Sequence, residues 1–211
     1  MITEWAYSND VYSSRDKVKK IILNNNYKSI DIGASADFWS YPECKIVADS
    51  MDNYKPDVQQ FKINLENKQD YLKIKEYVDI NGKFDFSICS HTLEDIFNPI
   101  DLIEFIPTIS NRGFIAIPSK YDELCYLYQN KHLGNAHHKT ILDIIDNTLV
   151  LFPKYPFIEI SPRTQEIRNN HKGKELYFYW QGTIPYRVFG NGIPFIGDDA
   201  LINAFFNELK G

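Results

Sequence analysis

Residues that could bind a nucleotide are concentrated at positions 29–49 of this chain. An apolar strand, SIDI, leads into a loop of small residues that begins at Gly33, and a second apolar strand ends at Asp49. A loop of small side chains lets a ligand approach the backbone closely, and an acid after the next strand can bind ribose hydroxyls. The spacing predicts a nucleotide-binding βαβ unit. A tight turn after a buried strand remains an alternative, because Gly33 is the only glycine of the loop.

A second block, residues 84–99, contains the histidine best placed for proton transfer. Its sequence, FDFSICSHTLEDIFNP, reads as a buried strand that ends at Ser90 and is followed at once by His91. A histidine at the mouth of a cleft can take a proton from a substrate hydroxyl, because its pKa is ordinarily near 6.5. We expect His91 to have this role, and we expect His138 to be a second catalytic residue at the same site. The alternatives are that His91 caps a helix or packs on the strand ends, and that His138 is a surface residue.

The paired histidines do not indicate a metal site. The spacing HHxxxxD, from His137 to Asp143, matches no common set of ligand positions, and adjacent side chains on a helix point about 100° apart. Glu94 and Asp95 could hold a cation, but the helix dipole favours acids at a helix start without one. We therefore expect no metal.

Composition and charge favour a cytoplasmic protein. The net charge of −5 over 211 residues argues against nucleic acid as the main partner. The 3 cysteines are scattered without a CxxC pair, which is typical of a reducing compartment. Residues 1–10 lack the basic and apolar segments of a secretory signal. No apolar run reaches the roughly 18–20 residues of a membrane span.

Strands and helices alternate over the first 120 residues. We predict strands at 29–33, 45–49, 61–64, 84–90 and 112–118, and helices at 14–25, 68–78 and 99–109. Near-continuous apolar runs are typical of strands buried on both faces of a parallel sheet. The fold class is therefore α/β, a Rossmann-like doubly wound sheet that is mostly parallel, with strand 29–33 at its centre. About 11 residues separate the first two strands, too few for a crossover helix, so we expect at most a helical turn at 36–39.

The pattern changes after residue 118. We predict helices at 120–130, 138–146 and 200–210, strands at 148–152 and 157–161, and an antiparallel hairpin of strands 175–180 and 185–189 at the edge of the sheet. We expect a single domain over residues 1–211. Within it, residues 27–120 form a cofactor-binding half, and residues 120–211 supply the acceptor side together with the hairpin and the last helix.

The order of these motifs resembles that of a known family. DIGASAD, the strand ending in Asp49, FDFSICSHTLEDIFNP, GFIAIPS, AHHKTILDI and NTLVLFPK follow one another over residues 29–154. This order is similar to that of class I S-adenosylmethionine-dependent methyltransferases, in particular the type found with glycan and polysaccharide gene clusters. The chain departs from that pattern in three places. Its glycine loop is degenerate, Asn64 replaces an acid, and Asp95 replaces a histidine.

The resemblance implies S-adenosyl-L-methionine as the cofactor, and it implies a role for each matching residue of the site. Asp31 and the backbone from Gly33 to Ser35 would face the methionine end, and Asp49 would accept hydrogen bonds from the ribose. Asn64 and Leu65 would lie at the adenine. Ser90 and His91 would lie beside the methyl group.

Three functions remain open at this point. The first is methyl transfer to a hydroxyl or amine of a small molecule or a sugar or glycan acceptor. The second is a non-catalytic binding or assembly module with the same fold, which the single glycine, the short first crossover and Asn64 favour. The third is an enzyme that modifies nucleotide sugars with another cofactor. An NAD enzyme is disfavoured because the three-glycine signature is missing.

Overall fold

The computed structural model describes residues 1–52, 54–125, 127–128, 132–190 and 197–210. The strands are β1 (Ile2–Ser8), β2 (Ser29–Ile32), β3 (Ile46–Asp49), β4 (Gln59–Lys62), β5 (Phe86–Ser90), β6 (Arg112–Pro118), β7 (Leu127–Tyr128), β8 (His132–Leu133), β9 (Thr140–Ile145), β10 (Thr148–Pro153), β11 (Glu175–Gln181) and β12 (Tyr186–Val188). The α-helices are α1 (Val11–Asn25), α2 (Tyr71–Asn81), α3 (Pro99–Ile109), α4 (Lys120–Cys125), α5 (Phe157–Ile160), α6 (Thr164–Arg168) and α7 (Asp198–Lys210).

Seven strands form the main sheet, in the order β1-β11-β6-β5-β2-β3-β4. The five strands from β6 to β4 run parallel to one another. At the other side of the sheet, β11 is antiparallel to β6, and β1 is antiparallel to β11. The predicted fold class is confirmed: the protein is mixed α/β, with a mostly parallel sheet and antiparallel edge strands. The central position of β2, between β3 and β5, is also as predicted.

Helices cover both faces of the parallel strands. On one face, α2 and α3 bury Ile74, Leu102 and Ile106 against the sheet. On the other face, α1 buries Val18 and Ile22 against strands β5 and β6. Every residue of β2 is buried as a result. Its sequence, SIDI, nevertheless alternates, with Ile30 and Ile32 in the main apolar cluster and Ser29 and Asp31 as buried polar residues.

The connection between β2 and β3 contains turns and no helix. Its residues 33–45 instead include an aromatic side chain, Phe38, that packs beside the sheet with Ala34 and Val47. The prediction that this crossover is too short for a full helix is therefore correct.

The predicted hairpin over residues 175–189 is wrong. Strand β11 lies inside the main sheet, between β6 and β1, whereas β12 pairs in parallel with β10 in a separate three-stranded sheet. Besides β6, β11 pairs with β1, in register Trp5 to Phe178, and no element is predicted for the first ten residues. An N-terminal strand that pairs across about 170 positions leaves no local signal in the sequence of either partner.

The predicted helix over residues 138–146 is also wrong, because this segment forms β9. Strand β9 pairs antiparallel with β10, and Ile145 lies opposite Thr148. The two residues between them, Asp146 and Asn147, both have positive φ angles, of 50° and 55°. Such a two-residue turn is suited to a tight β-hairpin. The β-branched residues of TILDII then favour a strand over the helix that the spacing of the apolar residues suggested.

Two shorter predictions fail in the same region. Residues 157–161 form α5 rather than a strand, and Pro156, directly before it, is a residue that favours helix starts. The predicted helix over residues 120–130 ends at Cys125, and β7 follows and pairs with β8. Residues 126, 129 and 130 of that prediction lie outside the described part of the chain.

A second apolar cluster joins the small sheet to α7. Phe152 on β10 packs against Phe205 of the helix, and Phe206 is likewise fully buried there.

Among the helices that the structure describes, none combines the length and the apolar composition needed to cross a bilayer.

Candidate functional site at the carboxyl edge of the sheet

Three predicted cofactor residues meet where the strand order of the sheet reverses. The chain runs from β2 outward through β3 and β4 on one side, and through β5 and β6 on the other. Ile32, the last residue of β2, lies opposite Ala48 of β3 and Cys89 of β5. Gly33, Asp49 and Ser90 therefore follow adjacent strand positions at one edge. The carboxyl ends of the strands at such a reversal are where open α/β sheets bind ligands.

Gly33 has a left-handed backbone and packs closely against Thr92. Its φ angle is +76°, and a Cβ atom added to it would overlap Oγ1 of Thr92 unless that side chain moved. The Thr92 side chain is buried and extends over the loop from the segment that follows β5. The lack of a side chain at Gly33 therefore allows the loop after β2 to pack against the segment after β5.

Asp31 lies inside the sheet, and Ser35 lies at the surface. The Asp31 carboxylate is buried and accepts a hydrogen bond of 2.7 Å from the Ser40 hydroxyl. Burial raises the pKa of Asp31 to about 7 despite that hydrogen bond, and the charge of Asp49 adds to the rise. Ser35 is exposed in the loop. The two side chains therefore face different surroundings, although the loop backbone between them lies at the same edge of the sheet.

Asp49 is half-buried at the end of β3, where its Oδ1 accepts a 2.7 Å hydrogen bond from the Met51 backbone N–H. Burial raises the pKa of Asp49, and the backbone hydrogen bonds of Met51 and Ser50 oppose the rise. The neighbouring Tyr54 donates its hydroxyl to the Ala34 carbonyl. Sequence reasoning missed Tyr54, which connects the loop after β2 to the segment after β3.

Asn64 and Leu65 follow β4 and form a capped turn. The Asn64 backbone N–H donates to Asp70 at 2.8 Å, and its side-chain oxygen accepts from the Glu66 N–H at 3.0 Å. The Leu65 carbonyl accepts from the Tyr71 hydroxyl at 2.8 Å. The Asn64 side chain is exposed at the same edge of the sheet, with its oxygen already in use.

His91 lies between two buried carboxylates. Its Nε2 is 2.9 Å from Glu175 and its Nδ1 is 3.4 Å from Glu94. Its φ angle is +51°, a left-handed conformation that few residues other than glycine adopt. Glu175, the first residue of β11, also contacts Arg15 of α1 at 3.8 Å and accepts from the Ser14 hydroxyl.

The surroundings of His91 hold its imidazole in the charged form. Burial alone would lower its pKa, but the hydrogen bond to Glu175, the close approach of Glu94 and the negative charges of both outweigh burial and raise the pKa to about 9. The imidazole therefore carries a proton on both ring nitrogens near neutral pH. Sequence reasoning missed Glu175 and Arg15, although a glutamate at the head of the aromatic strand ELYFYWQ is an unusual residue to bury.

His138 lies in a second group of charged side chains, together with Glu123 and Lys154. The segment that follows β5 reaches this group through Asp95. Its Nδ1 is 2.5 Å from Glu123, and Lys154 lies 3.0 Å from the same carboxylate. Burial would raise the pKa of Glu123, but His138 and Lys154 together lower it. On its other side, His138 Nε2 is 3.6 Å from Asp95, as is His137 Nε2.

Asp143 is not a partner of these histidines. Its carboxylate accepts from the Tyr7 hydroxyl and lies 2.7 Å from the Lys120 ammonium, in a buried cluster beneath α4. The HHxxxxD spacing therefore has no counterpart in space.

A cavity of about 680 Å³ adjoins this second group of charged side chains. Its wall includes His138, Lys139, Phe97 and Asn98, with the Lys139 ammonium 4.9 Å from the centre of the Phe97 ring. Leu151 of β10 contributes an apolar surface. None of the predicted cofactor residues lines this cavity, so it is separate from the strand ends at Gly33 and Asp49.

Comparison with known proteins gives similar folds at low identity. No protein-family model matches the chain, and no curated protein matches it. Among solved structures, a S-adenosylmethionine-dependent methyltransferase of Thermotoga maritima, a possible histamine N-methyltransferase, is 13% identical with a TM-score of 0.45, covering 82% of this chain and 89% of that one. The N-terminal domain of EvdMO1 with SAH and D-fucose is 9% identical with a TM-score of 0.40, covering 81% and 82%. A S-adenosylmethionine-dependent methyltransferase of Mesorhizobium loti is 10% identical with a TM-score of 0.37, covering 90% and 82%. At these scores the likeness does not extend to function.

Proposed function

We propose that the protein is an S-adenosylmethionine-dependent methyltransferase that acts on a hydroxyl or amine of a small molecule or a sugar or glycan. The observation that carries this proposal is the meeting of Gly33, Asp49 and Ser90 at the point where the strand order reverses. Nucleotide-containing ligands of open α/β sheets bind at that point. The motif order over residues 29–154 supports the same class.

The residues at this edge suit the cofactor in type and position. Asp49 would accept hydrogen bonds from the ribose hydroxyls, and the backbone from Gly33 to Ser35 would approach the methionine end. Asn64 and Leu65 would hold the adenine from the turn after β4. S-adenosylmethionine, when bound, would supply an electrophilic methyl group.

The acceptor must lose a proton as it takes the methyl group, since a neutral hydroxyl is a weak nucleophile. We assign the removal of this proton to His91. The imidazole could accept it only in its neutral form, after losing the proton that Glu94 and Glu175 stabilise. Proton transfer by His91 therefore requires alkaline conditions or an acceptor that displaces one carboxylate. His138, on the wall of the neighbouring cavity, would act on the acceptor side.

A non-catalytic module of the same fold is the second candidate, and one observation favours it. The space beside Gly33 is filled by Thr92, and the carbonyl of Ala34 is bonded to Tyr54. These contacts occupy part of the loop surface that a cofactor would use. A cofactor that used this part of the loop would displace the two side chains, whereas a module without a cofactor would leave them in place.

Calorimetry with S-adenosylhomocysteine separates the two candidates. The proposal predicts one site per chain with a micromolar dissociation constant for S-adenosylhomocysteine and S-adenosylmethionine. Adenosine and NAD, titrated in parallel, should bind much more weakly. The absence of heat with either S-adenosyl ligand at millimolar concentration would favour the non-catalytic module.

A further inference from the structure

Three side chains next to the cavity, those of Asp95, His137 and His138, have the composition and geometry of a cation site. One atom from each residue, a carboxylate oxygen or an imidazole nitrogen, lies within 4.8 Å of the other two. The Nε2 atoms of His137 and His138 are each 3.6 Å from Oδ1 of Asp95. These separations exceed the roughly 2.7–3.2 Å of an N–H···O hydrogen bond. They approach the roughly 3.3–3.5 Å between two ligands of one tetrahedral zinc ion.

The loop conformation allows both histidines to serve as ligands. Residues 135–139 form turns and extended chain rather than a helix. The two imidazole rings are therefore close, with centroids 4.6 Å apart. His137 is exposed, with 67% of its side chain accessible, so a small rotation of its ring can shorten the remaining distances. The objection that adjacent histidines diverge applies to a helix, which this segment is not.

Glu123 orients His138 in the way that a carboxylate behind a metal-binding histidine does. Its carboxylate, 2.5 Å from Nδ1, accepts that proton and leaves Nε2 with a lone pair. Metal-binding histidines usually donate their other N–H to a carboxylate in this way. Lys154, 3.0 Å from Glu123, fixes the carboxylate in turn. Gly134 leaves room for the Glu123 carboxylate, since a Cβ atom at position 134 would overlap one of its oxygens.

Asp95 provides an independent indication. Its Oδ1 is buried and lacks a hydrogen-bond partner among the residues that the structure describes. The side chain as a whole is 41% accessible, but this oxygen is shielded from solvent and has no donor within the described part of the chain, which is unfavourable. A metal ion between Asp95 and the two histidines would satisfy it. The amide of Asn135, 3.4 Å from His138 Nε2, is a long contact that an ion would displace.

We propose that Asp95, His137 and His138 bind a zinc ion with one coordination position left open. Two imidazoles and one carboxylate suit zinc better than magnesium, which prefers oxygen ligands. The adjoining 680 Å³ cavity, which His138 lines, gives the fourth ligand a place. This ligand would be water or an oxygen or nitrogen atom of a small molecule. The site does not depend on binding of an S-adenosyl ligand.

Metal titration of the untagged chain, after treatment with a chelator, tests this proposal. We expect one Zn²⁺ per chain with a dissociation constant at or below the low micromolar range, and no response to Mg²⁺. Co²⁺ should give the visible absorption of a four-coordinate nitrogen and oxygen site. His137→Ala and Asp95→Asn should each weaken zinc binding at least about tenfold. Both residues are partly or fully exposed, so these variants should keep the fold.

His171→Ala is the matched control, because His171 is an exposed histidine outside the cluster. It should bind zinc as the parent chain does. A parent chain that binds no zinc overturns the proposal. So does a His137→Ala and Asp95→Asn double variant with the affinity of the parent, since zinc would then lie elsewhere. Circular dichroism of each variant ensures that a loss of binding is not a loss of fold.

Discussion

His91 and Glu175 are separated by 84 positions, yet Nε2 of the histidine lies 2.9 Å from Oε2 of the glutamate. One follows parallel strand β5, and the other begins antiparallel strand β11, two strands away in the sheet. The contact joins the segment after β5 to the antiparallel side of the sheet. It also decides the charge of the histidine on which the proposed chemistry depends.

The first prediction concerns stability and pH. The pKa of His91 is about 9 in the folded chain and about 6.5 in the unfolded one. A pKa raised by folding contributes stability that is complete below about 6.5 and is lost as pH rises through about 9. The difference in unfolding free energy between the parent and His91→Asn should therefore shrink from pH 6 to pH 10.

Urea unfolding at several pH values measures that difference. Asparagine is the suitable replacement, because it tolerates the left-handed backbone of His91. Glu94, Glu175 and Asp122 are the carboxylates that interact with the imidazole. A difference that vanishes near pH 6.5 instead of pH 9 would show that these groups do not hold the histidine charged.

The second prediction concerns proton transfer. If His91 takes the acceptor proton, His91→Asn should leave the affinity for S-adenosylhomocysteine within a few-fold and slow turnover by about 10²–10⁴. The turnover of the parent should rise with pH through about 9, because only the neutral imidazole accepts a proton. Turnover that is flat from pH 7 to pH 10 would remove His91 from this role.

The third prediction concerns the ribose. Asp49→Ala should weaken S-adenosylhomocysteine binding at least about tenfold, since a hydrogen bond to a charged group contributes roughly 1.5–3 kcal/mol. Asp52→Ala is the control, because Asp52 is an exposed aspartate nearby that pairs with Lys62. It should bind like the parent. Equal affinity of parent and Asp49→Ala in calorimetry would place the ribose elsewhere.

The fourth prediction concerns the loop after β2. Gly33→Ala should destabilise the fold by more than the roughly 1–2 kcal/mol of a left-handed backbone, because its Cβ would also meet Thr92. Gly182→Ala isolates the backbone cost, since Gly182 has a φ of +74° and no atom within 4 Å of the added Cβ.

Adding Thr92→Ala to Gly33→Ala should recover the steric part of the loss and leave the backbone part. Thermal unfolding of the four chains in this double-mutant cycle measures the coupling. Equal losses for Gly33→Ala and Gly182→Ala would mean that Thr92 moves aside at no cost, which would also open the loop to a ligand.

The parallel half of the fold was predictable because its signals are local. Helix α3 and strand β6 have the bounds read from the sequence, Pro99–Ile109 and Arg112–Pro118. Pro99 marks the start of the helix, and the apolar run of the strand reflects burial on both faces. In the second half, TILDII fits a helix or a strand equally well by spacing. The pairing of β9 with β10 decided between them.

The sequence by itself determined the presence of Gly33, Asp49 and Ser90 at strand ends, because strand ends depend on neighbours along the chain. It also determined the α/β class and the central place of β2, because alternating strands and helices allow few ways to connect a parallel sheet. Only the tertiary structure decided what surrounds the histidines. Glu175 reaches His91 because β11 enters the sheet beside β6, and Asp95 meets His137 and His138 because two loops fold together. Contacts between distant segments set the burial and charge of a side chain, and a single sequence does not state them.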